Sequence, residues 1–199
     1  MPRSVAFTAL MGLAIALGLL IARLSPAPEA PGPLEWLDTP RPVGAFTLLS
    51  TQGTFDQRSL AGRWSIVLFG FLQCPDLCPT TMSQLASLGR GLAEQPLRDV
   101  QLLFVSVDPG RDSVAEVDRY ARFFDASILG VTGDPVELEH FASDLGVRFS
   151  VSIDGGDYSV AHSVTFSVID PQGRLHGRFR PGFDAPRLAA QLAAKASQT

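Results

Sequence analysis

Apolar residues along this chain fall into two kinds of run, and the two periods divide it into elements. Val43 to Leu49 and Thr54-Phe55, split by Gln52-Gly53, predict a β-hairpin. Ser65 to Phe71 is an unbroken apolar and aromatic run of strand length, and Leu102 to Val107 is a second one, closed by Asp108-Pro109. Between them Met82, Leu85, Ala86 and Leu88 recur at helical spacing, which predicts a helix beginning near Cys78. Val114, Val117, Tyr120 and Phe124 mark one face of a helix over Ser113–Phe124, and Ile128 to Val131 is a short strand. Asp134 as N-cap, Pro135 at the first position and Gly146 past the end delimit a helix over 134–145. Val164 to Ile169 and Leu175 to Phe179 form a hairpin around Asp170-Pro-Gln-Gly173, and a final helix runs from about Asp184 to Ala194.

The order is a β-hairpin, then β, α, β, α, β, α, β, β, α. A βαβ start, a late antiparallel hairpin and a closing helix predict a mixed sheet with helices on both faces. The expected fold is therefore α/β and thioredoxin-like, in its peroxiredoxin-like variant, with an N-terminal β-hairpin and an inserted helix–strand pair. Fold alone does not choose a function.

The N-terminal part is of another kind. From Val5 to Ala22 Thr8 is the only polar side chain other than glycine, and as a helix the stretch would measure about 27 Å, near the hydrocarbon thickness of a bilayer. Residues 1–24 are expected to be an uncleaved membrane anchor; a cleaved signal peptide is the rival, disfavoured by Pro28 and Pro31 just beyond its candidate cleavage sites. Residues 25–42, with six prolines, are expected to be an extended linker, leaving 43–199 as the folded domain. Twenty acidic residues outnumber sixteen basic ones and no basic stripe occurs, which argues against nucleic acid as a partner.

Cys74 and Cys78 are the chain's two cysteines, in Cys74-Pro-Asp-Leu-Cys78-Pro where a buried strand hands over to a helix. A thiol at a helix start lies near unpaired backbone N–H groups, which favour a thiolate. Residues four apart on a helix can share a disulfide or one soft metal ion, so both chemistries are open. As a structural disulfide the pair would close too short a loop to constrain much chain. Copper(I) takes thiolates at low coordination number, and an imidazole can complete a trigonal site. His140 lies within a helix and reads as surface or packing; His176 alternates with Leu175 in the late hairpin and reads as half exposed. His162 lies after the loop Asp154-Gly-Gly-Asp157 and just ahead of the strand from Val164, a place that a thioredoxin-like sheet brings beside the cysteines. Met82 reads as core, Asp76 as a solvated loop residue, Asp108 as a turn or helix cap, and Pro75 and Pro79 as stiffeners of the loop.

Phe69-Gly-Phe-Leu-Gln-Cys-Pro-Asp-Leu-Cys-Pro-Thr-Thr81 resembles the signature of the Sco/SenC copper chaperones of cytochrome c oxidase assembly. Val105-Ser-Val-Asp-Pro-Gly-Arg-Asp112, Tyr158 to Ser163, Ile169-Asp-Pro-Gln-Gly173 and Val43 to Leu48 extend the resemblance over roughly 43–190. It implies that Cys74, Cys78 and His162 ligate copper, as Cu(I) and as Cu(II), and that the ion goes to the CuA site of oxidase subunit II. It also implies a bacterial inner-membrane protein with its soluble domain in the periplasm, and contacts with another copper chaperone or a thiol reductant. Two positions depart from the family habit: Gln73 stands where histidine is frequent, and Ala161 where an acidic residue is.

The alternative is a thiol–disulfide reductase that keeps the CuA cysteines reduced, with Cys74 and Cys78 as the redox pair. Against a general oxidoreductase stand the longer Cys spacing and His162-Ser163 where redox thioredoxins carry a cis-proline. A peroxidase reading fails on Phe71, which stands three residues before Cys74 where a threonine is needed. Zinc accepts the same donors; an oxidising compartment and the resemblance favour copper.

Overall fold

In the computed structural model the described residues are 34–74, 77–97, 99–154 and 157–198. The expected anchor, and the linker as far as residue 33, lie outside them. Among the described residues no helix is long and apolar enough to cross a membrane.

The strands are β1 (Leu34–Pro42), β2 (Thr47–Ser50), β3 (Gly53–Asp56), β4 (Trp64–Gly70), β5 (Val100–Ser106), β6 (Ile128–Gly133), β7 (Phe149–Asp154), β8 (Asp157–His162), β9 (Phe166–Ile169) and β10 (Arg174–Phe179). The helices are α1 (Leu77–Ala93), α2 (Val114–Phe124), α3 (Pro135–Asp144) and α4 (Ala185–Ala196). One eight-stranded sheet runs in the order β1-β10-β9-β4-β5-β6-β2-β3, and among the described residues β7 pairs only with β8.

β4 is buried along its whole length because both of its faces are covered, which is why its sequence is a continuous apolar run rather than an alternation. Ile66 and Leu68 join a core under α1, α2 and α4, with Met82, Leu85, Val117 and Leu188. Val67 and Phe69 point the other way and pack with Leu48, Leu138 and Phe141 beneath α3 and the β2–β3 hairpin. β4, β5 and β6 are mutually parallel, while β9 runs antiparallel beside β4. The expected thioredoxin-like α/β layout is present, and it sets the C-terminal end of β4 beside the start of α1.

The helix ends follow their caps. The Ser113 side chain accepts from the Glu116 N–H, and the Glu116 side chain reaches back, a reciprocal pair that starts α2. Asp134 accepts from the Val136 N–H and Pro135 occupies the first position of α3. Gly146 follows the end of α3 at φ +68°, a left-handed conformation that suits glycine.

Three expectations need correcting. Residues 34–42, assigned to the extended linker, form β1, which pairs antiparallel with β10 at the sheet edge. An edge strand tolerates Pro40 and Pro42 because one side of it needs no donors. A register shift between Trp36 and Arg41 marks the irregularity. Trp36 lies against Gly177 and meets the His176 ring edge-on at 5.4 Å. His176 is accordingly not half exposed: it is buried between Trp36 and Trp64, with its Nδ1 3.3 Å from the Asp170 carboxylate.

The third correction concerns residues 149–154 and 157–162, on either side of the expected loop Asp154-Gly-Gly-Asp157, whose Gly155 and Gly156 lie outside the described residues. The two segments form the β7–β8 hairpin, in which Asp154 pairs with Asp157 and Phe149 with His162. His162 is therefore the last residue of a strand, not a loop residue.

Candidate metal centre

The site is built where β4 ends. Val107 donates its N–H to the Gly70 carbonyl at 2.9 Å, so β4 and β5 stay bonded up to that point. The chain then turns through residues 71–73, and the Cys74 N–H reaches back to the Phe71 carbonyl at 3.4 Å. Cys74 is half-buried and Cys78, in the first turn of α1, is buried; both are free thiols.

Gly70 makes room for the second thiol. A Cβ at that position would lie 3.1 Å from Cys78 Sγ and 2.7 Å from the Phe104 ring. Only a residue without a side chain lets Cys78 settle over the strand end. Sequence reasoning passed over Gly70; its signal is a lone glycine inside the aromatic run Phe69-Gly70-Phe71.

His162 comes to the same place on β8. Its Nδ1 lies 3.2 Å from the Ser163 carbonyl oxygen, which can only accept, so Nδ1 carries the proton and Nε2 keeps its lone pair. The ring also meets Phe71 edge-on, with centroids 5.8 Å apart and planes at 88°. Burial pushes the His162 pKa below its usual value, so the imidazole is neutral at pH 7. Nε2 faces Cys78 Sγ at 3.9 Å.

The electrostatics of Cys78 differ from the expectation of a helix-stabilised thiolate. Burial is the largest effect and pushes its pKa up to about 12, with the neighbouring Cys74 acting in the same direction. A neutral thiol thus faces a neutral imidazole. In this pocket a negative sulfur requires a cation to compensate it.

One ligand atom from each of Cys74, Cys78 and His162 lies within 4.8 Å of the others. Two sulfurs each about 2.3 Å from a shared ion are at most about 4.6 Å apart, so the three donors need little movement to hold one ion. Two thiolates and one imidazole make a soft donor set suited to Cu(I).

The remaining candidates are elsewhere. His140 is exposed on α3, and Met82 is fully buried in the core under α1. Pro79 is exposed in the first turn of α1, while Pro75 and Asp76 lie outside the described residues. Asp108 holds a turn, as expected, since its carbonyl accepts from the Arg111 and Asp112 N–H groups. It does more than that. Its buried carboxylate accepts from Arg111 Nε at 2.6 Å and from the Tyr158 hydroxyl. Asp112 is equally buried, and its carboxylate accepts from the Leu72 N–H at 2.9 Å and from Ser106 Oγ at 2.6 Å. Burial raises the Asp112 pKa. Arg111, which the sequence reading did not single out, reaches Gln73 Oε1 with Nη1 at 3.0 Å and stacks over the Tyr158 ring at 3.7 Å.

Comparison with known proteins points one way. The family model described as SCO1/SenC matches residues 37–197. Mitochondrial protein SCO1 of Saccharomyces cerevisiae is 37% identical over 136 residues, covering 66% of this chain and 46% of that protein. The mitochondrial SCO2 homolog of Danio rerio is 37% identical over 134 residues, covering 65% of this chain and 48% of the relative. The match thus spans about half the length of these curated relatives. The crystal structure of yeast Sco1 with copper bound superposes with a TM-score of 0.73 at 32% identity, over 80% of this chain and 91% of that one. Bradyrhizobium japonicum ScoI with copper bound gives 0.69 at 29% identity, over 77% and 98%.

Proposed function

The chain belongs to the SCO1/SenC family, and from that premise we propose that it is a copper metallochaperone with Cys74, Cys78 and His162 as ligands. The observation that carries this reading is the convergence of those three donor atoms within 4.8 Å, from two segments far apart in sequence. Copper-bound relatives of the same fold support the choice of metal.

Each side chain has a distinct part. Thiolates select Cu(I) over harder cations, and His162 supplies a neutral nitrogen whose ring is oriented by its Nδ1–H···O bond to Ser163. The Cys78 proton must leave to solvent as the ion enters, because the raised thiol pKa keeps it protonated at neutral pH. Cys74 is the more exposed of the two sulfurs. An incoming thiolate approaches the ion from that side, and Cys74 is the first ligand to be replaced.

The acceptor in this reading is the CuA site of cytochrome c oxidase subunit II, whose thiolates match the ligand exchange. The N-terminal stretch from Val5 to Ala22 would tether the domain to a bacterial inner membrane, with the copper site in the periplasm. A tether raises the local concentration of the site around a membrane-bound acceptor.

The second reading is a thiol–disulfide reductase, favoured by the two free thiols. Cys74 thiolate would attack an acceptor disulfide and form a mixed disulfide. Cys78 would then resolve it, releasing an acceptor dithiol and leaving a Cys74–Cys78 disulfide. Burial disfavours the Cys78 thiolate that this step needs.

Mixing the Cu(I)-loaded chain with a reduced, copper-free CuA domain tests the proposal. The chaperone reading expects copper to move to the acceptor. Acceptor thiols appearing from a disulfide-form CuA domain, with no copper movement, would favour the reductase.

A further inference from the structure

We propose that Arg111 is a positioning residue of the metal site: its guanidinium fixes the spacing between the cysteine loop and the histidine hairpin. The proposal rests on the copper-binding reading and adds a residue that does not touch the ion.

Among the described residues the two ligand-bearing segments have no ladder in common. Cys74 and Cys78 flank the end of β4, whereas His162 belongs to β8, which pairs only with β7 outside the main sheet. At the hairpin base the Ser163 N–H donates to the Arg148 carbonyl at 2.8 Å, a bond that closes the hairpin on itself. Phe149 and Val160 pack against the core beneath α3, but apolar packing sets no direction. Besides the ligand contact of His162 Nε2 with Cys78 Sγ and the Phe71 ring edge, directional contact comes through Tyr158, which shares a face of β8 with Val160 and His162 because side chains alternate along a strand. Any tilt of the hairpin about its base therefore moves Tyr158 and His162 together.

Tyr158 is held from the main body by Asp108 and Arg111. Its hydroxyl donates to Asp108 Oδ1, and Arg111 Nε donates to Asp108 Oδ2 at 2.6 Å. The guanidinium plane covers the Tyr158 ring at 3.7 Å. The same guanidinium reaches Gln73 Oε1 at 3.0 Å, on the residue before Cys74. One rigid planar group thus touches the segment carrying the histidine and the segment carrying the outer cysteine. Lysine, a point charge on a flexible stem, could not make the fork and the stack at once. Among the described residues, 71–74 are also held by the 3.4 Å bond from the Cys74 N–H to Phe71 and by the Leu72 N–H to Asp112.

Removing the whole Arg111 side chain would strip the buried Asp108 of its cation and could unfold the chain, so the test uses gentler variants. Gln73→Ala cuts only the arm to the cysteine loop, and Arg111→Lys keeps a positive charge near Asp108. Each is expected to weaken Cu(I) binding in anaerobic competition by about 3- to 10-fold, less than the 10–100-fold typical of partners that bond a ligand directly. The Cu(II) form should show altered imidazole-nitrogen coupling in its electron paramagnetic resonance spectrum, while the unfolding temperature of Gln73→Ala stays at that of the unmodified chain. Adding Gln73→Ala to Arg111→Lys should weaken binding no further, because the two act through one contact. Unchanged affinity and spectrum in both variants, or fully additive losses, would overturn the proposal. Amide exchange in the metal-free chain decides the matter even if the unmodified chain holds no copper, a result that would itself sink the metal reading. Residues 72–74 and 158–162 should exchange faster together in Arg111→Lys, and unchanged exchange there would also overturn the proposal.

Discussion

Cys78 Sγ stands 3.9 Å from His162 Nε2, although 84 residues separate them along the chain. The first sits in the opening turn of α1 and the second ends a hairpin outside the main sheet, so the contact exists only in the folded domain. Each group is neutral for the same reason, burial, and each offers its donor atom to the other. A soft cation placed between them would take both.

Ligand substitutions should rank by donor. Cys74→Ser and Cys78→Ser are each expected to lower Cu(I) affinity by more than about 100-fold, beyond the range for partners outside the ligand set. His162→Ala should lower it by about 10-fold or more, and His140→Ala, on the exposed side of α3, should leave it unchanged. Chelator competition on the four variants gives the order.

Copper affinity should rise with pH through neutrality. The Cys78 proton must leave on loading and its pKa lies at about 12, so each pH unit below that value costs the apparent affinity about tenfold for this proton. His162 adds little competition near pH 7, because burial lowers its pKa. Titrations at pH 6, 7 and 8 measure the slope.

The metal-free chain should behave differently at alkaline pH. A thiol whose folded pKa is raised keeps its proton in the folded state while the unfolded chain loses it, so the unfolded state gains. The Cys78 contribution is whole below the ordinary thiol pKa of 9.0 and is lost as pH rises towards about 12. Denaturant unfolding should show stability falling over that window, with the fall reduced in Cys78→Ser.

Gly70→Ala should damage stability and site together. The added methyl meets the Phe104 ring at 2.7 Å and Cys78 Sγ at 3.1 Å, and both neighbours are buried. Overpacking of this kind costs about 1–3 kcal/mol, visible in thermal unfolding. Displacement of the thiol should weaken copper binding in the same variant.

Trp36→Ala separates the two properties. Trp36 closes β1 over Gly177 and His176, and His176 meets β4 at Trp64, its first residue, whereas the cysteines follow the opposite end of that strand. Its half-buried indole should contribute about 2–3 kcal/mol, at or below the lower end for tryptophan truncation. Unfolding temperature should fall while copper affinity stays unchanged.

The sequence carried the central strands and helices because their periods are strong. β4 and β5 are unbroken apolar runs, and α2 and α3 announce their starts through Ser113 and the Asp134-Pro135 pair. It carried less at the margins. β1 was hidden by Pro40 and Pro42, which suit both a linker and an edge strand; the choice depends on Trp36 finding His176, a contact no local pattern encodes. β7–β8 was hidden by Ser150, Ser152 and Ser159, although Phe149, Val151, Tyr158 and Val160 keep a period of two. His176 reads as half exposed because it alternates with Leu175, but both faces of β10 are covered, so alternation there does not mark an outer face. Cys74, Cys78 and His162 stood out as candidates through spacing and resemblance. Arg111 and Gly70 did not, because their roles lie in what they touch: a guanidinium spanning two segments, and an absent side chain under a sulfur.

The most direct test of the central claim is an anaerobic Cu(I) titration of the reduced chain against a chromophoric chelator, run beside His162→Ala. One tightly held equivalent, weakened by the substitution, is the predicted result. Failure to compete with the chelator, or equal binding by His162→Ala, would contradict the three-ligand copper site.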